Sequence, residues 1–307
     1  MLTFNKLSNR YRLRGALKLD SAMHIGSGLG DHRVDALFVR SNDKFYLPGS
    51  SVRGALRSLI ERLAAGLSAN PSSVSCFLDN SSNSKCVSAN RETLKEVNGW
   101  RESRRLTELN ILDKIMSQGY LCQVCQLFGS PMLASKVKIH DCFPAAGPSM
   151  PSEGTVRYGI GIDRDTESVR EGVLFEVEVL DHRPSFQFEL LAENLEEDEK
   201  KNPEDWGLLA LGLLEMLDGR FYLGAKSAVG LGQCHLDCDS LLLEGFSGPE
   251  QLRAFLDTGN YPQQIKKKEA VVFLQKKRKA YLDATAKADS QPNQASQTAP
   301  AKENEPC

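Results

Sequence analysis

The chain has 307 residues, 41% of them hydrophobic and 25% charged, so it is long enough for one large domain or two small ones with a sizeable core. Its net charge of -2 at pH 7 argues against a free, strongly basic nucleic-acid binder but is compatible with a local basic groove. No run of about 18 apolar residues and no charged leader before an apolar segment are present. We therefore expect a soluble, cytoplasmic protein without a membrane partner.

The N-terminal part predicts four elements: a half-buried strand over 11–19, a loop with Gly26, Gly28 and Gly30, an apolar strand over 34–40, and a helix over about 51–67. Pro48-Gly49 ends the second strand, and Ser50 or Ser51 is a suitable N-cap for the helix. Arg53 and Arg57 are four residues apart and share one helix face. Such a helix start with two arginines favours phosphate, and an N-capped helix with solvated arginines is the alternative.

The remaining elements follow in chain order: a Ser- and Asn-rich insertion from 68, a helix over 106–116, strands near 135–139, 172–179 and 185–191, a helix over 206–217, a second glycine-rich loop over 224–232, and a strand through Cys234. This order predicts an α+β fold with a ferredoxin-like (RRM-like) core. We expect one domain over 1–245 with an insertion over 68–130. A helical extension over 246–288 and a disordered tail over 289–307 follow it.

Four of the eight cysteines form two pairs, Cys76 with Cys86 and Cys122 with Cys125, spaced C-x9-C and C-x2-C. They lie within the insertion, which has little apolar sequence with which to build a core of its own. Four thiolates are the ligand set of a structural zinc site, so the spacing predicts structural Zn²⁺ here. Four buried thiols without a metal are the alternative.

The stretch from His24 to Ser58 reads HIGSGLGDHRVDALFV, then a short turn, then FYLPGSSVRGALRS. It resembles the N-terminal signature of the RAMP superfamily of CRISPR-associated proteins. The segment RYGIGIDRDT over 157–166 and the second glycine loop, with Gly224, Lys226 and Ser227, resemble later motifs of the same superfamily. The closest type is the backbone subunit of type III (Csm/Cmr-like) interference complexes.

The resemblance implies an endoribonuclease that cuts target RNA with Asp35 as its catalytic carboxylate, in a reaction dependent on Mg²⁺ or another divalent cation. Asp31 is a nearby competitor for that role. The resemblance also implies contacts with RNA from ten residues: His24, Arg33, Ser50, Ser51, Arg53, Arg57, Arg157, Gly224, Lys226 and Ser227. The segment over 157–166 is expected near the base of a thumb-like hairpin that kinks the RNA, with Met132 or Met150 as the apolar wedge.

The implied partners are a guide CRISPR RNA, a target RNA and the other type III subunits, namely further backbone copies, the large subunit and the small subunit. Two alternatives remain open. One is a structural RNA-binding subunit that does not cut RNA. The other is a guide-RNA-processing endoribonuclease that uses His24 as its base.

Overall fold

The structure, a computed structural model, describes residues 5–28, 30, 34–77, 84–145, 153–181, 184–195 and 204–289. Within these ranges the strands are β1 (Asn9–Leu19), β2 (Arg40–Ser41), β3 (Lys44–Phe45), β4 (Val137–Ile139), β5 (Thr155–Ile162), β6 (Val169–Val179), β7 (Ser185–Glu193), β8 (Phe221–Tyr222), β9 (Gln233–Leu236), β10 (Leu242–Ser247) and β11 (Gln263–Lys266). The helices are α1 (Gly49–Gly66), α2 (Pro71–Val74), α3 (Arg91–Glu102), α4 (Glu108–Ser117), α5 (Gln123–Phe128), α6 (Glu204–Leu217), α7 (Gly248–Thr258) and α8 (Lys267–Asp289).

Strand β1 is the centre of an antiparallel sheet. One edge of β1 pairs with β7 from Arg10 to Lys18, and β4 pairs with the far edge of β7. The other edge of β1 pairs first with β10, which carries β11, and then with β9, which carries β8. Taken from β9, the strand order is therefore β9-β1-β7-β4, with β4 beside the part of β7 that faces the first half of β1.

The alternation along β1 sorts its side chains onto two faces of the sheet. Leu13, Leu17 and Leu19 are buried on the face covered by α1 and α6. Arg12 and Arg14 lie on the opposite, open face, where both donate to Glu244 of β10. The predicted half-buried strand is confirmed, and its register leaves a row of charged residues on the open face.

Small residues allow the helices to pack closely over the sheet. A Cβ atom at Gly212 of α6 would lie 2.5 Å from Leu56 Cδ1 of α1, and one at Gly207 would lie 2.3 Å from Tyr281 Cβ of α8. Trp206 makes edge-on contacts with Tyr11 of the sheet and Phe273 of α8, with ring centroids 4.9 and 5.1 Å away. α8 is thereby fixed to the outside of α6.

Strands β5 and β6 pair antiparallel to form a separate two-stranded ribbon. The register of this pairing shifts between Ile160 and Ile162. Five large apolar side chains on this ribbon are at least half exposed: Tyr158, Ile160, Ile162, Val169 and Leu174. Its base is held by a bridge between Ala36 and Val177.

The α+β class predicted from the sequence is confirmed, as is the helix over 206–217, which is α6. The regular strand predicted over 34–40 is wrong. Ala36 bridges the ribbon while Phe38 bridges Gly26 of the first glycine loop, so this segment divides its hydrogen bonds between two partners and forms no ladder. Likewise, the strands predicted over 172–179 and 185–191 lie in different sheets, as β6 and β7.

The N-cap of α1 is also displaced from the prediction. Pro48 is the N-cap, with φ -58° and ψ 130°, and it accepts from the backbone N–H groups of Ser51 and Val52. Ser50 and Ser51 lie in the first turn, because proline before the helix already has a suitable φ. Elsewhere, the Ser- and Asn-rich part of the insertion contains α2 and α3.

In the described part of the chain, no helix combines the length and the apolarity that crossing a bilayer requires.

Candidate functional site

The four predicted cysteine ligands converge at one point beside α1. Their Sγ atoms all lie within 4.8 Å of one another, and none of the four residues is more than 3% exposed. Tetrahedral coordination with Zn–S bonds of about 2.3 Å places sulfurs about 3.8 Å apart. The spacing is close to what a metal needs, so the cluster could hold an ion such as zinc.

Local structure explains how sequence-distant cysteines meet. Cys122 is the N-cap of α5 and Cys125 lies in its first turn, so the C-x2-C pair is presented at a helix start. Cys86 lies where the backbone N–H of Val87 donates to the carbonyl of Tyr120, which ties the segment before α3 to the segment after α4. Cys76, just after α2, completes the set, with its sulfur 3.6 Å from that of Cys125.

The thiols perturb one another's protonation. Hydrogen bonds from neighbouring thiols, chiefly Cys122, lower the pKa of Cys86. A hydrogen bond from Cys122 likewise lowers the pKa of Cys125. A thiol that donates these bonds is correspondingly harder to ionise, and the pKa of Cys122 is raised, first through Cys125. A cation at the centre would remove this competition, because thiolates are the metal-binding form.

Two of the three arginines of α1, Arg53 and Arg57, point at this cluster and its surroundings. Arg57 donates to Cys125 Sγ at 3.2 Å and to Glu61 Oε1 at 2.9 Å, and its side chain is 11% exposed. Burial opposes its charge, but these two partners raise the pKa of Arg57. Arg53 donates to the carbonyl of Phe128 and to Ser135 Oγ. The structure thus engages both guanidinium groups within the chain, and their contact with RNA stays a prediction.

The first turn of α1 is not open to an anion at its first N–H. Asp141 Oδ1 accepts from the backbone N–H of Gly49 at 2.7 Å. The carboxylate therefore occupies the position that a phosphate would take at a helix start. Ser50 is exposed and Ser51 half-buried beside it.

The two glycine loops, distant in sequence, lie against each other. Gly224 has φ +87°, and a Cβ atom there would be 2.2 Å from the carbonyl oxygen of His24. The backbone N–H of Ala225 donates to that same oxygen at 2.9 Å, and Gly232 N–H donates to the carbonyl of Ala22 at 2.8 Å. The glycines are needed because the backbones approach this closely.

Lys226 and Ser227 stand at the exposed rim of the second loop. Lys226 adopts a left-handed conformation, with φ +61°, and its Nζ lies 3.7 Å from the centroid of the Phe175 ring on β6. This contact joins the second loop to the ribbon. The rim exposes backbone and a cation in the arrangement that binds phosphate.

His24 lies beneath these loops and is 5% exposed. Its Nδ1 lies 2.7 Å from the backbone carbonyl of Glu178, and since a carbonyl only accepts, Nδ1 carries the proton. The imidazole of His24 also packs edge-on against Phe38. In this position His24 fixes the loop, and its predicted contact with RNA would have to be made through Nε2 or the backbone.

Asp35 is exposed at the point where the first loop meets the base of the ribbon. Its Oδ2 accepts from the backbone N–H of Glu176 at 2.9 Å. Gly30 runs so close to the carbonyl of Asp35 that a Cβ atom there would be 2.5 Å from that oxygen. One carboxylate oxygen is used for positioning, and within the described residues Oδ1 has no partner and is available to a ligand.

Sequence reasoning missed Glu178, which holds this arrangement together. The residue is 5% exposed, and its carboxylate accepts from Phe38 N–H at 2.9 Å, from Gly154 N–H at 3.0 Å and from the guanidinium of Arg40. Burial would raise the pKa of Glu178, but these three donors together lower it. Its position between Val177 and Val179, directly before Leu180, is the sequence signal that could have indicated it.

The segment over 157–166 forms the ribbon itself rather than its base. Arg157 is half exposed on β5 and lies 3.6 Å from Asp181. Asp163, at the tip, accepts from the backbone N–H groups of Asp165 and Thr166, each at 3.0 Å. Met132 lies in the turn after α5 and packs on the core. Asp31, Arg33 and Met150 lie outside the described residues.

Comparison with known proteins agrees with this geometry. No curated protein matches the chain. The family model of the RAMP superfamily matches residues 16–235, which run from β1 through both glycine loops to β9 and include the cysteine cluster. Because that match spans more than two thirds of the chain, this protein belongs to the RAMP superfamily of CRISPR-associated, RNA-binding proteins.

Proposed function

We propose that this protein is a guide-RNA-binding backbone subunit of a type III CRISPR effector complex, and that it cuts complementary target RNA through Asp35. The observation that carries the proposal is the meeting of the two glycine loops beside Asp35 and the ribbon. Exposed backbone and Lys226 offer phosphate contacts at the same place as an available carboxylate oxygen.

A ferredoxin-like core is part of the proposal. The order β9-β1-β7-β4, with α1 between β1 and β4 and α6 between β7 and β9, supports it. This is the order expected when two β-α-β units share one antiparallel sheet. The β5–β6 ribbon would then be an insertion that projects from the core toward the RNA.

Cleavage would use the RNA's own 2'-hydroxyl as nucleophile, held in line with the scissile phosphorus. Asp35 would act through Oδ1, since Oδ2 is held by the Glu176 N–H. A divalent cation, when bound there, supplies charge stabilisation at the phosphate. A single carboxylate with phosphate oxygens and waters is a sufficient ligand set for Mg²⁺. The exposed apolar side chains of the ribbon would distort the RNA backbone into the reactive geometry.

We further propose that the cysteine cluster holds a structural Zn²⁺. All four sulfurs are buried and no open position is needed for chemistry, which favours a structural role. Arg57, 3.2 Å from Cys125 Sγ, would offset part of the negative charge of four thiolates.

The test of cutting is cleavage of a complementary RNA by the assembled complex, with and without Mg²⁺. Asp35→Ala should abolish cutting at the positions this subunit serves, with RNA binding unchanged, whereas Asp257→Ala, an exposed change on α7, should leave cutting intact. Loss of cutting with Asp31→Ala instead would move the chemistry to that residue.

One observation favours the structural, non-cutting alternative. The hydrogen bond between Asp35 and the Glu176 N–H gives this carboxylate a positioning role that needs no chemistry. Unchanged cleavage by the Asp35→Ala complex would support that alternative. The guide-processing alternative is less favoured, because His24 is buried with Nδ1 bonded to the Glu178 carbonyl.

A further inference from the structure

The open face of the central sheet carries a cleft of about 800 Å³ that none of the proposed roles uses. Arg14 and Ala16 of β1, Gln187 and Glu189 of β7, and the segment 140–145 after β4 line it. Its volume lies within the range of roughly 300–1,000 Å³ typical of small-ligand sites.

Polar groups in the cleft are less fully hydrogen-bonded than those on the rest of the same face. Outside it, charged side chains pair with one another: Arg10 with Glu193, Arg12 with Glu244, Lys18 with Asp237, and Lys138 with Glu193. Inside it, Arg14 also pairs with Glu244, through Nη2 at 2.9 Å, but some hydrogen-bonding capacity is left over. Arg14 Nε is buried without a partner among the described residues.

Gln187 adds to this spare capacity. Its side chain is exposed and makes no hydrogen bond among the described residues, while its backbone N–H donates to the carbonyl of Phe143 at 2.8 Å. Glu189 uses its backbone carbonyl for His140 N–H, and its carboxylate makes no hydrogen bond or ion pair within the described part of the chain. The cleft thus presents a cationic donor, an amide and a free carboxylate close together.

An aromatic platform lies at one side. Phe143 is 45% exposed and stacks on Tyr46, with ring centroids 5.7 Å apart and planes inclined by 17°. An exposed ring fixed by a second ring offers its outer side to a planar ligand. Both neighbours of Phe143 are tied down, since Cys142 pairs with Leu47 and Pro144 bridges Phe186.

We propose that this cleft binds a single unpaired base of an RNA strand. Two carboxylates, Glu189 and Asp141, stand against one guanidinium in the cleft, so its charge disfavours a phosphate. A nucleobase instead offers donors for Glu189, acceptors for Arg14 and both for Gln187, and its flat face suits Phe143. The inference rests on the proposed RNA-binding function and adds a base-reading site away from the glycine loops.

The test measures binding of the full-length chain to 5'-labelled 12-nucleotide homopolymers of A, C, G and U at fixed salt. Phe143→Ala should weaken binding of the preferred base about tenfold, the loss expected for one stacked base. Gln187→Ala should reduce the discrimination among the four homopolymers. Gln264→Ala is the matched control, because Gln264 is exposed on β11 of the same sheet and does not line the cleft.

Salt dependence separates this site from the glycine loops. Cleft variants should leave unchanged the slope of log affinity against log salt concentration. Lys226→Ala should reduce the magnitude of that slope by about one and weaken the binding of all four homopolymers alike. Ultraviolet cross-linking of the unaltered chain to the same oligomers, read by mass spectrometry, should place a cross-link at Phe143.

Two results would overturn the base site. One is wild-type affinity and discrimination in both cleft variants, with no cross-link at the cleft. The other is protection of the cleft by a neighbouring protein subunit, with no effect of the variants on RNA. If the unaltered chain binds none of the homopolymers, the proposed function fails as well, whereas loss of the Lys226 effect alone leaves the cleft proposal standing.

Discussion

Several buried charges of this protein have their partners on a different element and thereby tie the elements together. Lys136, just before β4, pairs with Asp205 of α6, and their side chains are 4% and 8% exposed. Removing one partner would leave the other charge buried without compensation, which is costly in a low-dielectric interior. The pair fixes one end of α6 to the edge of the sheet.

Replacing Asp205 by alanine should therefore lower the free energy of unfolding by about 3–5 kcal/mol. Replacing both residues, as Lys136→Met with Asp205→Leu, should restore most of that loss. Urea unfolding followed by circular dichroism measures both. The control is Glu108→Ala, which breaks an ion pair with Arg101 whose side chains are 71% and 38% exposed, and it should cost under about 1 kcal/mol. A double variant no more stable than the single one would contradict this reasoning.

Glu178 gives a prediction that depends on pH. Its pKa in the folded chain lies below the usual 4.5, because Arg40 and two backbone N–H groups outweigh burial. A carboxylate with a lowered folded pKa stabilises the fold above its unfolded pKa and loses that contribution as pH falls through the folded value. Glu178→Gln should thus destabilise the protein clearly at pH 7 and progressively less below pH 4.5. Parallel unfolding curves with the same difference at both pH values would contradict it.

At the scale of elements, the glycine loops depend on close backbone contact as well as on backbone conformation. Gly224 and Gly230 both have positive φ, of +87° and +86°. Only at Gly224 would a Cβ atom meet another backbone, that of His24, while Gly230 has open space around it. The two positions form a matched pair that separates conformational strain from steric exclusion.

Gly230→Ala should cost about 1–2 kcal/mol of stability, the penalty for a left-handed residue with a side chain. Gly224→Ala should cost more, and it should also weaken RNA binding because it separates the two loops. Thermal unfolding and filter binding to a guide-length RNA measure the two effects. Equal losses of stability and RNA affinity in the two variants would show that close packing of the loops is unimportant.

Sequence reasoning succeeded where a pattern repeats within one element. The alternation of β1 and the apolar run of α6 each predicted an element that is present. It failed over 34–40, where Ala36 and Phe38 bond to different parts of the molecule. Local apolarity does not show whether the hydrogen-bonding partner is one strand or two.

The same limit applies to the candidate site. Spacing alone brought the four cysteines together correctly, because thiols have few other reasons to cluster. It could not show that Arg57 turns toward Cys125 or that Asp141 occupies the start of α1. Those contacts join residues 68 and 92 positions apart, and they depend on the packing of the whole sheet and its helices.

At the scale of the molecule, the cysteine cluster organises the insertion between α1 and β4, since it joins the end of α2, the turn at Cys86 and the start of α5. Arg57 carries the connection on to α1. If a metal holds the cluster, its loss should loosen the insertion first and the sheet only later.

The protein purified without chelator should therefore contain one zinc ion per chain, measured by inductively coupled plasma mass spectrometry. Cys86→Ser should remove that zinc and lower Tm by at least about 5 °C, since structural zinc contributes folding free energy directly. Limited proteolysis should then cut first within residues 84–121. Cys238→Ser is the control, because Cys238 lies outside the cluster, and it should keep both zinc and Tm. A zinc-free wild-type protein with the same Tm as Cys86→Ser would show that the four thiols are held by packing alone.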